Sequence, residues 1–169
     1  KTQIVMNYYF ITGTSRGIGR SLALNILKEE NNVVFGISRD CKIVHPDYHH
    51  FTIDLSNENE ITDFQFTDLN QPEKIVLINN SGTLGDIRKM GENDPEKIVN
   101  CYMINAIAPA ILMNAFIKQY RNTKAVKIIM NISSGAGRHP VPSWTSYCAT
   151  KSALDIDRKS TRLNSSHYS

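Results

Sequence analysis

Eight consecutive residues constrain this chain more than any others: Thr12-Gly13-Thr14-Ser15-Arg16-Gly17-Ile18-Gly19, TGTSRGIG. They follow an apolar run, NYYFITG (7–13), that reads as a buried strand. They open GIGRSLALNILKEE (17–30), where Ile18, Leu22, Ile26 and Leu27 recur at helical spacing. A glycine-rich turn gains meaning in this strand-to-helix context. Gly13 permits a tight turn, and Gly17 and Gly19 allow close backbone approach and packing of the helix onto a sheet. The helix N-terminus offers unpaired N–H groups and the positive end of a dipole, a setting suited to phosphate. The spacing is G-x-x-x-G-x-G, not the G-x-G-x-x-G fingerprint.

The rest of the chain keeps alternating. NVVFGISR (32–39), HHFTIDL (49–55), EKIVLINNSG (73–82) and AVKIIMNISS (125–134) read as strands. SNENEITDFQFTDLN (56–70) is predicted helical, with Ser56 as its N-cap. Residues 94–121 are predicted to form one or two helices, with Asp94 as N-cap and Pro95 at the first helical position. SWTSYCATKSALDI (143–156) begins another. Alternation with strands apolar throughout predicts a doubly wound α/β fold, a mostly parallel sheet of about five strands between helix layers. Pockets in such sheets open at the carboxyl ends of the strands.

Composition narrows the functional classes. At 41% hydrophobic and 21% charged, the 169 residues fit one ordinary soluble domain. No uninterrupted apolar run approaches the ~18–20 residues that cross a bilayer, so no membrane association is expected. The start, KTQIVMNYYFITG, has no small-residue cleavage site, which argues against a signal peptide, and Met6 reads as the start. Cys41, Cys101 and Cys148 are odd in number and lack C-x-x-C spacing. They point to a reducing, cytoplasmic setting and away from a disulfide framework or zinc site. His45, His49 and His50 show no helical i, i+4 pair and read as a surface loop before the third strand, so no metal is expected. Cys148 reads as a small buried filler.

Residues 157–169 show neither helical period nor strand alternation. The stretch DRKSTRLNSSH within them resembles the translation of a common short-read sequencing adapter. The expectation is one domain over residues 1–156, cut within its last helix and followed by a non-native tail, 157–169. On that reading the 169-residue chain alone would be poorly stable and inactive. Asp157, Arg158, Lys159 and Arg162 supply +2 of the net charge of +3. With no Lys/Arg run elsewhere, a nucleic-acid partner is not expected.

Tyr147 and Lys151 are four apart, on one helical face one turn apart. A phenol, with a pKa near ~10, exchanges protons poorly at neutral pH. A neighbouring ammonium stabilises the phenolate and suits the pair to protonating a carbonyl. Ser134 ends the fifth strand, and its hydroxyl can donate to a developing oxyanion. Asn105 sits among Ile104, Ala106, Ile107 and Ala108, where an amide needs partners. The second strand ends in Ser38-Arg39 with no acid for a ribose 2′-hydroxyl; Arg39, with Arg16, suits a 2′-phosphate instead. Taken singly, each feature has a structural reading: a glycine turn, solvated arginines, an amphipathic helix, an amide bonding nearby backbone.

In this order and spacing, Thr12-Gly13-x-x-x-Gly17-x-Gly19, Asn79-Asn80-Ser81-Gly82, Asn105, Ser134 and Tyr147-x-x-x-Lys151 resemble the short-chain dehydrogenase/reductase family. The resemblance spans Tyr8 to Ile156. LINNSGTLG, NAIAPAILMNAF, NISSGAGRHP and YCATKSALD resemble its benzil reductase-like and sepiapterin reductase-like branch. It implies a Rossmann-type domain and reduction of a ketone or diketone with NADPH, preferred over NADH.

By the same resemblance Tyr147 would be the general acid, and Lys151 would stabilise its phenolate and hold the nicotinamide ribose. Ser134 would orient the substrate carbonyl, and Asn105 would hold a water in a proton relay. Gly13, Ser15, Arg16, Gly17, Ile18 and Gly19 would cradle the cofactor phosphates. Ser38 and Arg39 would meet the 2′-phosphate, Asp54 and Leu55 the adenine. Asn80, Ser81 and Gly82 would line the cofactor at the end of the fourth strand, with Tyr147 and Lys151 beyond them. The family usually has Ala where Ser81 stands, a small departure. Pro140, Val141, Pro142 and Trp144 read either as an apolar wall for an aromatic ketone or as a packed loop. A homodimer or homotetramer is implied for the full-length protein. The rival class is a non-catalytic dinucleotide-binding sensor or scaffold; such proteins typically lack the tyrosine or the lysine, and this chain has both.

Overall fold

Met6–Thr12 (β1), Asn32–Ser38 (β2), Tyr48–Thr52 (β3), Pro72–Asn79 (β4) and Val126–Asn131 (β5) form one sheet in the order β3-β2-β1-β4-β5. Every neighbouring pair is parallel. The computed structural model describes residues 5–165. Helices Gly17–Ile26 (α1), Glu58–Thr62 (α2), Pro95–Tyr102 (α3), Ala108–Tyr120 (α4) and Thr145–Ser165 (α5) connect or follow the strands. This is the doubly wound, Rossmann-type arrangement that the alternation predicts. The chain steps outward from β1 to β3, returns to β4 beside β1, and steps out the other way. The crevice between the carboxyl ends of β1 and β4 is therefore the switch point where such sheets bind ligands.

The apolar strands divide their side chains between two layers. On one face Phe10, Phe35, Ile75 and Leu77 pack under Leu112, Met113, Phe116 and Tyr120 of α4. On the other, Ile11, Val34, Val76 and Ile78 meet Ala23 of α1 and Leu27 just beyond it. Each such large side chain contributes about 1.5–3 kcal/mol by leaving water.

Four local expectations change. The predicted helix 56–70 shrinks to α2, capped by Asn57, whose Oδ1 accepts from Asn59 N and Glu60 N, while Ser56 bonds Asp54. The cause is DFQF: buried Phe64 and Phe66 flank exposed Gln65, a two-residue period that a helix cannot serve. Tyr8 Oη and Tyr120 Oη donate to the carbonyls of Asn70 and Thr67, which ties this irregular segment down. Secondly, β5 is not buried on both faces: Val126, Ile128 and Met130 are exposed on this edge strand. Thirdly, His49 and His50 lie within β3, as the strand reading of 49–55 has them, and not in the surface loop assigned to the three histidines. Lastly, α5 runs on past Ile156 to Ser165, through residues whose sequence shows no helical period.

The segment 94–121 forms α3, a π-helical turn at Met103–Ile107, and α4. Asp94 caps it by accepting from Glu96 N, with Pro95 following, as expected. By length and composition alone Pro95–Tyr120 is long and apolar enough to cross a membrane, with a mean hydropathy of 1.5 over an 18-residue window. The search for uninterrupted apolar runs misses this because Asn100, Asn105 and Asn114 break the run without lowering the average enough. In this fold its inward face is packed against the sheet.

Candidate active site

Thr12, the last residue of β1, fastens the crevice. Its buried Oγ1 accepts from Asn80 N and Ser81 N, both at 2.9 Å, and its carbonyl accepts from Asn80 Nδ2 at 2.9 Å. The turn after β1 and the turn after β4 thus form one unit. Gly13 and Gly17 hold left-handed φ angles of +75° and +57°, which side chains with a Cβ rarely adopt. A Cβ on buried Gly19 would collide with the Gly13 carbonyl and the Asn80 amide. At the head of α1, Arg16 occupies the N-cap position without a side-chain bond to the first turn. The first N–H groups of α1 therefore have no side-chain cap, and Arg16, Gly17 and Ile18 lie exposed there with Ser15 half-buried. A bare helix start beside a turn that excludes any Cβ fits a phosphate group.

The end of β2 is more enclosed than its sequence suggests. Ser38 is buried, and its Oγ donates to the Asp40 carbonyl at 3.0 Å; Arg39 is exposed. Asp54 Oδ1 accepts from Ser56 N at 2.9 Å and from Ser56 Oγ at 2.7 Å. Partial burial works to raise the Asp54 pKa, but these two bonds and the Arg39 charge outweigh it and hold the carboxyl below its ordinary value. Leu55 packs into the core cluster.

Asn105 sits fully buried in the π-helical turn, a feature that recurs at functional sites. Its Nδ2 donates to Thr83 O at 2.8 Å, Thr150 Oγ1 at 3.1 Å and Cys101 Sγ at 3.4 Å. Its Oδ1 accepts from Thr83 N at 2.8 Å. Both sides of the amide are engaged by protein groups, the Nδ2 hydrogens by three acceptors and Oδ1 by Thr83 N.

Lys151 is only 4% exposed. Its Nζ donates to the Ile132 carbonyl at 2.9 Å and lies 5.7 Å from the centroid of the Tyr147 ring. Burial pulls the ammonium below the ordinary lysine pKa, opposed by the charges of Asp155 and Cys101. A Cβ on Gly82 would stand 3.5 Å from both Asn105 Oδ1 and Lys151 Nζ, so the turn after β4 passes beside both. Ser134 caps the short 3₁₀ turn Gly135–Gly137 by accepting from Ala136 N at 3.2 Å, which leaves its own O–H to donate. That turn packs on α5 at Lys151, and Ser152 Oγ donates to the Gly137 carbonyl at 2.6 Å. Trp144 meets the Tyr147 ring edge-on at 5.7 Å.

The structure thus gathers Gly82, Asn105, Tyr147 and Lys151 beside the glycine turn, with the Ser134 turn packed on their helix. The sequence motif includes Thr12 but assigns no role to it, nor to Thr83 and Thr150, and these three orient them. Cys148 is half-buried, whereas Cys101 is the buried one. Among the described residues no group of three or more His, Cys, Asp or Glu side chains can hold a metal.

Thr150 is fully buried, accepting from Asn105 Nδ2 and donating to the Tyr147 carbonyl at 2.9 Å. Thr150→Val keeps the shape and leaves one Asn105 N–H with only the Cys101 sulfur, a weak acceptor. It is expected to destabilise the protein by about 1–3 kcal/mol, seen as a lower Tm, and Thr150→Ser should recover most of the loss. An unchanged Tm in the valine variant would show that the bond contributes nothing.

Over residues 7–167 the chain matches the family model described as short chain dehydrogenase. It is 33% identical over 157 residues to a benzil reductase ((S)-benzoin forming) of Bacillus subtilis (strain 168), covering 89% of this chain and 64% of that protein. It is 28% identical over 168 residues to the sepiapterin reductase of Rattus norvegicus, covering 86% of this chain and 64% of that protein. A solved short-chain dehydrogenase/reductase from Burkholderia vietnamiensis superposes with a TM-score of 0.82 at 26% identity, over 95% of this chain and 78% of that one. The chain therefore spans 64% of the length of these two curated relatives.

Proposed function

We propose, from the premise that this chain belongs to the short-chain dehydrogenase family, that the full-length protein is an NADPH-dependent reductase of ketones or diketones. The observation that carries this reading is the convergence on Lys151: its buried ammonium lies over the Tyr147 ring and beside Gly82 at the switch-point crevice. A bound nicotinamide would supply the hydride. Tyr147 would donate the proton to the carbonyl oxygen, and Lys151 would stabilise the phenolate that remains. Ser134, with its O–H unused by the cap, would polarise the same oxygen. Asn105, whose Oδ1 accepts one bond and lies with Lys151 Nζ beside Gly82, would hold a relay water.

Gly13, Ser15, Arg16, Gly17, Ile18 and Gly19 would hold the phosphates, with Asn80, Ser81 and Gly82 along the cofactor. The preference for NADPH rests on exposed Arg16 and Arg39, with Ser38 and not an acid as the last residue of β2 and Asp40 placed after the arginine. Asp54 and Leu55 would border the adenine, Leu55 from within the core. Trp144, against Tyr147, favours an aromatic substrate. The three free cysteines favour a cytoplasmic setting, and the resemblance a homodimer or homotetramer.

The test is turnover by the full-length protein with benzil as substrate and NADPH or NADH as donor. Conversion of benzil to benzoin at the expense of NADPH, faster than with NADH, is the expected result. Tight dinucleotide binding without turnover of benzil or other aromatic ketones would favour the sensor or scaffold reading.

A further inference from the structure

Beneath the glycine turn a relay of hydrogen bonds links β3 and β2 to the turn that follows β1. Tyr48 and His50, two apart on β3, share one face of the sheet. Tyr48 is buried, and its hydroxyl occupies the place where a Cβ on Gly36 of β2 would stand. The absent side chain at Gly36 lets the phenol reach Thr14 in the glycine turn, with Oη 2.8 Å from Thr14 Oγ1. Tyr48 Oη is also 3.1 Å from His50 Nδ1, and His50 Nε2 lies 3.0 Å from the Ser38 carbonyl.

Chemistry sets the direction of this chain. A carbonyl only accepts, so His50 Nε2 carries the hydrogen and donates to Ser38 O. In the neutral ring Nδ1 then accepts, so Tyr48 O–H donates to it and Thr14 O–H donates to Tyr48. Ser38 O also accepts from Ile53 N at 3.3 Å, and Ser38 Oγ closes the turn to Asp40 that carries Arg39. Ser38 Oγ lies 3.4 Å from Thr14 Oγ1, a contact and not a hydrogen bond, because Ser38 gives its hydrogen to Asp40 O and Thr14 gives its own to Tyr48. Burial raises the Tyr48 phenol above its ordinary pKa, against the lowering bond from Thr14, so it stays a donor.

We propose that Tyr48 and His50 are positioning residues for the ribose end of the cofactor: they lock the Ser38–Asp40 turn to the glycine turn and so aim Arg39 at a 2′-phosphorylated adenosine. This rests on the NADPH reading above. A merely structural role would weaken NADPH and NADH alike; the positioning role predicts a split.

The experiment titrates the full-length protein and its Tyr48→Phe and His50→Asn variants with NADPH and with NADH, following nicotinamide fluorescence. Tyr48→Phe keeps the ring over Gly36 and removes only the hydroxyl. His50→Asn keeps a group near Nδ1 and removes the anchor on Ser38. Each variant is expected to bind NADPH about tenfold more weakly, the scale of one charge-assisted hydrogen bond, with a much smaller change for NADH. A melting curve confirms the fold of each variant, and if one is unfolded the other decides. An unchanged NADPH-to-NADH ratio, or equal loss of both, in a folded variant overturns this inference alone. Preference for NADH in the unaltered protein overturns the NADPH reading itself.

Discussion

Tyr147→Phe in the full-length protein is expected to lower kcat by about 10²–10⁴-fold and leave NADPH binding essentially intact. The substitution removes one oxygen and retains the ring that packs edge-on against Trp144 and under the Lys151 ammonium. Whatever is lost is then proton transfer and not the shape of the pocket. Single-turnover rates with saturating NADPH would measure it. Turnover close to that of the unaltered protein would remove Tyr147 from the chemistry and revive the scaffold reading.

The same site carries a pH signature. Burial lowers the folded-state pKa of Lys151 below its unfolded value near 10.5. On the proposed mechanism the ammonium that would stabilise the phenolate is lost at a lower pH than for a free lysine, and activity should fall early on the alkaline side. The stability effect has the opposite sign. Between the lowered folded value and 10.5 the unfolded chain binds more protons, so this group's contribution rises with pH. Lys151→Met should accordingly abolish activity without lowering stability at neutral pH.

Gly19→Ala is expected to cost stability at the upper end of the ~1–3 kcal/mol typical of overpacking, and to weaken NADPH binding with it. The obstructing groups are the Gly13 carbonyl and the Asn80 amide, and Asn80 is itself pinned to Thr12. Neither can swing aside as the tip of a long side chain would. Two neighbours calibrate the effect. Gly17→Ala meets no atom within 4 Å but must adopt φ of +57°, a strain of about 1–2 kcal/mol. Gly135→Ala meets nothing and holds no left-handed angle, so it should stay within about 0.5 kcal/mol of the original. Denaturant midpoints for the three would settle the order, and Gly19→Ala no worse than Gly135→Ala would refute the close packing of this turn.

What could be read directly were features that depend on near neighbours along the chain. Buried strands announce themselves as short apolar runs, and Asp94-Pro95 marks a helix start by the chemistry of its own backbone. The glycine turn lies between β1 and α1 as its context predicts. Tyr147 and Lys151 share a helical face because four residues make about one turn. Misreadings arose where local signals competed: the polar start of 56–70 outweighed the alternation of Phe64 and Phe66, which the core on the far side rewards.

The amino-acid order alone therefore determined the parallel α/β architecture, the glycine turn after β1 and the placing of Tyr147 and Lys151 on one helical face, since each is written in a period or a spacing. Only the folded molecule decided that Thr83 and Thr150 hold Asn105 from 22 and 45 residues away, and that Tyr48 reaches Thr14 through the gap at Gly36. The reason is that such meetings depend on how helices dock on the sheet and how strands slide in register, and no single element encodes either offset.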